Sequence, residues 1–86
     1  MDQIFVNKLV DWYGELPANS YRILEADLNR VIVLVAVPNS ENIELVRMWV
    51  NLKKELDISI DASVNFNDVS VIDAIVAIAK RYSVVK

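Results

Sequence analysis

Eighty-six residues form a single domain, and the absence of both cysteine and histidine excludes disulfides, thiol nucleophiles, thiolate or imidazole metal sites and the usual general base at neutral pH. With 55% hydrophobic residues and a mean hydropathy of +0.31, the chain holds more apolar material than so small a domain buries, so self-association is expected. A net charge of −3 and a pI near 4.7 point away from a nucleic-acid partner.

Met1-Asp2-Gln3 carries no basic cluster of the secretory type, and the longest apolar run is seven residues, far short of a membrane span. The expected setting is therefore cytoplasmic, with no membrane partner, no metal and no cofactor.

Asp2 to Leu16 reads as an amphipathic helix. Phe5, Val6, Leu9, Val10, Trp12, Tyr13 and Leu16 share one broad stripe, and Pro17 stops it. Tyr21 to Asp27 reads as an edge strand whose charges, Arg22, Glu25 and Asp27, discourage edge-to-edge pairing. Asp27-Leu28-Asn29 supplies turn formers, so a hairpin into the next strand is expected.

That strand, Val31 to Val37, has no polar member and five β-branched residues. Successive strand residues point to opposite faces, so such a run needs cover on both. It is expected at the centre of the sheet.

Pro38-Asn39-Ser40 then opens a second helix running to about Leu56, with Ser40 as N-cap, Glu41 and Glu44 near its start and Lys53 and Lys54 near its end. Its apolar arc is wide, centred on Leu45, Trp49, Leu52 and Leu56, with Met48 on one margin and Ile43, Val46 and Val50 on the other. The strict alternation Ile58, Ile60, Ala62, Val64 against Ser59, Asp61, Ser63 reads as a strand with one covered and one wet face. Asn67 or Asp68 caps a last helix, Val69 to about Tyr82, whose packing stripe is Val71, Ile72, Ile75, Ile78, Ala79 and Tyr82.

The expected fold is a single domain over residues 1–86, α/β or α+β, a small two- or three-layer sandwich of order α-β-β-α-β-α. Its three-stranded mixed sheet has strand 31–37 at the centre, joined to the third strand by a right-handed crossover helix.

No motif specifies a reaction. Pro38-Asn39-Ser40-Glu41 lies where α/β folds bind phosphate, but it lacks glycine and Glu41 repels an anion, so it reads as an ordinary cap. Trp12, Trp49 and Tyr82 sit at core spacing and read as packing.

Two constellations remain. Glu25 and Asp27 share a strand face by their i, i+2 spacing, and with Asp61 they offer carboxylates for a small ligand or an acid/base pair. Against this, all three read as water-facing charges, and Asp61→Asn is expected to be nearly silent. Ile43, Arg47, Val50 and Lys54, at i, i+4, i+7 and i+11, line up along the second helix with the composition of a protein contact.

The function expected is a non-enzymatic protein–protein interaction module that binds a protein partner, itself, or both, in the manner of a small phage-type or immunity-type inhibitor or adaptor. The alternative is a small-ligand sensor or minor enzyme subunit using Glu25, Asp27 and Asp61.

Overall fold

Asp2 caps the first helix: its carboxylate accepts from the backbone of Ile4, and α1 follows over Gln3–Tyr13 in a computed structural model that describes residues 2–86. The helix ends three residues before the expected stop. Gly14 adopts φ 83° and donates its amide to Val10, a left-handed C-terminal cap that a side chain would strain. A single 3₁₀ turn, Ala18–Ser20, leads into the sheet.

Four antiparallel strands follow in meander order: β1 Tyr21–Ala26, β2 Arg30–Ala36, β3 Asn42–Val50 and β4 Leu56–Asn65. The last element is α2, Val71–Val85. Ser70 caps it by accepting from the Asp73 amide, in place of the expected Asn67 or Asp68. The order is thus α-β-β-β-β-α.

The expected helix over 41–56, its crossover and the three-stranded mixed sheet are overturned: that stretch is β3, a turn, and the start of β4. The reason lies in the width of its apolar arc. Wound at 100° per residue, a strand covered on both faces mimics a broad helical stripe. In β3, Val46, Met48 and Val50 face the α1 side, while Ile43 and Leu45 face the α2 side. Ser40, read as a helix cap, instead accepts from the Asn42 amide in the β2–β3 turn. Leu52, expected in a core stripe, is fully exposed at the β3–β4 tip.

β2 is central as its composition implies, and each of its faces carries its own core. Val31, Val33 and Val35 join Phe5 and Leu9 of α1 with Val46 and Met48 of β3. On the other side Ile32 joins Leu45 and Ile78 of α2, flanked by Leu34, Ala62, Val64 and Tyr82. The sheet is the middle of three layers. Among the described residues no helix is long and apolar enough to cross a membrane.

Two bulges decide which residues meet which helix. In β4 the register passes from Leu45↔Ala62 to Val46↔Ile60, leaving Asp61 without a partner. Ile58 and Ile60 therefore join the α1 core and Ala62 and Val64 the α2 core. The sequence alternation of β4 does not define one wet face, because the extra residue changes the face halfway along. In β1 the same happens at Leu24, between Ile23↔Val33 and Glu25↔Ile32.

The β3–β4 turn hides its own signal. Asn51 accepts from the amides of Lys53 and Glu55, and Lys54 is held at φ 66°, a left-handed position that favours glycine or asparagine. Lys54→Gly is expected to stabilise the fold by about 0.5–1 kcal/mol in urea denaturation. A loss of stability would show that the lysine side chain contributes more than its backbone strain costs.

Candidate functional site

The residues expected to form a contact stripe are dispersed. Ile43 packs into the α2-side core, Val50 into the α1-side core, and Lys54 sits at the β3–β4 tip. Arg47 lies on β3 opposite Ser59, with its guanidinium over the Trp49 ring, 5.0 Å from the centroid. Helical spacing aligned the four; strand geometry separates them.

The three candidate carboxylates are likewise apart, and each is committed to the fold. Asp27 is beyond the end of β1, so it does not share a strand face with Glu25. It accepts from the amides of Asn29 and Arg30, both at 2.8 Å, and these bonds, Asn29 first, hold its carboxyl below the ordinary range. Glu25 accepts from the Tyr82 hydroxyl at 3.1 Å and pairs with Arg30 at 3.7 Å. Desolvation and then the bond to Glu25 raise the Tyr82 phenol.

Asp61 belongs to β4, at the far edge of the sheet from Glu25, about 14 Å away across three strand spacings. Its side chain is only 5% exposed, so it is no wet-face residue. Its carboxylate accepts from the Ser59 hydroxyl at 2.8 Å and from Arg47 Nη2 at 3.4 Å, and it lies 3.2 Å from Arg47 Nε as an ion pair. Arg81 of α2 donates to its backbone carbonyl at 2.7 Å. Among the described residues no group of three or more histidine, cysteine or acidic side chains could hold a metal.

A further, half-buried polar pair ties α1 to the sheet. The Tyr13 hydroxyl donates to Glu44 at 2.7 Å. Burial first, and then this bond, push the phenol far above its ordinary value. The neutral phenol therefore stabilises the fold at neutral pH, and that contribution fades as pH rises past the range where an unfolded tyrosine ionises.

What the sequence reading missed is on α2. The buried line of this helix is Ala74 and Ile78, continued by Tyr82 and Val85. Of the expected packing stripe, Ile78 and Tyr82 pack inward. Ile72 is 73% and Ile75 61% exposed, and Val71, Val76 and Ala79 are exposed too.

At 100° per residue, Ile72, Ile75, Val76 and Ala79 share one side of the helix, roughly a third of a turn from the buried line. Val69, just before the helix, is also exposed. The signal was present: a helix apolar almost all round needs cover on more than one side, and one sheet supplies only one.

Beside α2 on the same sheet face lies an open groove of about 430 Å³, lined by Tyr21, Arg22, Leu34, Ala36 and Ile43 with Asn19 and Ser20. Its floor is the part of β1 and β2 that α2 leaves uncovered, because the helix packs on β3 and β4. No family model, no curated protein and no solved structure matches this chain.

Proposed function

We propose that this chain is a non-enzymatic protein-interaction module, self-associating, of the kind that serves as a small inhibitor or adaptor, and that its contact surface is the outer face of α2. One observation carries the reading: Ile72, Ile75 and Val76 form a contiguous aliphatic strip on the surface of the domain, outside both of its cores. The largest exposed apolar patches of small domains are often functional, and one with polar residues at its rim suits a surface that meets another protein.

The commitment of Glu25, Asp27 and Asp61 to hydrogen bonds and ion pairs within the fold disfavours the acidic ligand site. A cysteine-free chain suits the reducing cytoplasm. A net charge of −3 favours a protein partner over nucleic acid.

The test is a photo-crosslinking amino acid placed at Val76 and, as a control, at Glu15, in cells producing the protein. Adducts from position 76 that disappear with Ile72→Lys, and are absent from position 15, are expected. Equal labelling at both positions, or none at 76, would remove α2 as the contact face.

A further inference from the structure

We infer that the occupant of this face is a second copy of the chain, docked through the same face so that the two α2 helices run antiparallel about a two-fold axis. The inference rests on reading α2's outer side as the contact surface, and adds the geometry by which two copies meet there.

The strip carries no charge. Ile72, Ile75, Val76, Ala79 and Ser83 follow one another along it, so apposing two copies brings no like charges into the centre of the contact. A two-fold contact must be self-complementary, and an uncharged aliphatic strip meets that condition.

The flank of the strip decides the direction. Asp73 and Lys80 are seven residues apart, two helical turns, and fall on the same outer side of the strip. Among the described residues neither side chain forms an ion pair within its own chain. In antiparallel helix pairs like flanks meet. A two-fold axis passing between Val76 and Ala77 sets Asp73 of one protomer beside Lys80 of the other, and forms that pair twice. A parallel pairing sets this flank against the sheet-ward side of the other helix and forms neither pair.

The area agrees with a reversible dimer. Val69, Ile72, Ile75, Val76 and Ala79 are exposed along the strip and put on the order of 400 Å² of apolar surface on each copy; with the flanking Asp73 and Lys80 the two copies together approach the ~1,000 Å² at which specific interfaces begin. Such a contact is expected to dissociate in the micromolar range, where its charges also matter for orientation.

Sedimentation equilibrium over a micromolar dilution series tests this on the full chain. The mass is expected to rise from 9.8 kDa to twice that value. Ile75→Lys, at a solvent-facing position, is expected to raise the dissociation constant at least about tenfold with unchanged circular dichroism.

Lys80→Glu alone is expected to weaken the dimer by setting a carboxylate against Asp73 of the other copy. Asp73→Lys combined with Lys80→Glu is expected to restore it. A wild-type chain that stays monomeric throughout, or a dimer indifferent to Ile75→Lys, overturns the inference. A dimer sensitive to Ile75→Lys but not restored by the charge exchange overturns the antiparallel geometry. Monomeric wild type together with crosslinks from position 76 to a different protein would defeat the second copy as occupant while leaving α2 as the contact face.

Discussion

Val35→Asp is expected to unfold the domain, read as loss of the cooperative transition in urea and of the native circular dichroism. Val35 is fully buried in the central strand, paired with Tyr21 of β1 and Glu44 of β3, and packed in the core under α1. A carboxylate there is shut off from solvent, and Glu44 across the ladder already takes up the nearby hydroxyl of Tyr13. An unpaired buried charge costs well over 4 kcal/mol, a large part of the 5–15 kcal/mol by which a typical domain is stable. Val33→Asp, equally buried and opposite Val46, is expected to do the same.

The control is Leu52→Asp, where a fully exposed leucine at a turn tip changes stability by less than about 0.5 kcal/mol. Folded Val35→Asp protein with wild-type stability would contradict the central placement of β2. A large effect at Leu52 would place that tip inside a contact.

The contrast between Val35 and Leu52 shows where the sequence is informative. Val31 to Val37 announces a doubly covered strand because alternation of faces makes seven apolar residues meaningful by themselves. The helix at the start and the helix at the end, with the β1–β2 hairpin between, are legible from period, cap and turn residues. The stretch 41–56 is ambiguous by the same logic that makes β2 clear. When both faces of a strand are covered, apolar residues occur at both parities, and a wheel drawn at the helical period collects them into a wide arc. What resolves the ambiguity is the turn at Asn51–Glu55, and its marker is missing because Lys54 occupies the position where glycine would have flagged it.

The face of α2 failed to register for a related reason. The stripe Val71, Ile72, Ile75, Ile78, Ala79 and Tyr82 assumes one packing direction, while Ala74, a small residue, is what lets the helix sit close on the sheet. Close approach at Ala74 and Ile78 turns Ile72 and Ile75 outward. The dispersal of Ile43, Arg47, Val50 and Lys54 follows directly from the strand assignment, and the burial of Asp61 from a bulge that no residue pattern announces.

Asp61 carries the second large expected effect, opposite to the near-silence that an alternating strand implies for Asp61→Asn. The bulge places its carboxylate under α2 against Arg47, with Ser59 donating to it and Arg81 of the helix donating to its backbone. Replacing it by asparagine leaves Arg47 without a counter-charge. Removing one member of a buried pair costs about 3–5 kcal/mol, but Arg47 is 33% exposed and can turn its guanidinium toward water, which reduces the loss to about 2–3 kcal/mol.

The converse change is expected to be worse. Arg47→Met strands a carboxylate that is 5% exposed and also removes the cation stacked on Trp49. The double variant Arg47→Met/Asp61→Asn leaves no buried charge unpaired, so it should be more stable than Arg47→Met alone. Urea denaturation of the four proteins measures this cycle, and a coupling energy of about 1–3 kcal/mol is expected for groups in contact. Additive effects, or a silent Asp61→Asn, would return Asp61 to the solvent. A strong coupling identifies the Arg47–Asp61 pair as the clamp that fixes the bulge, and so fixes which half of β4 meets α1 and which half meets α2.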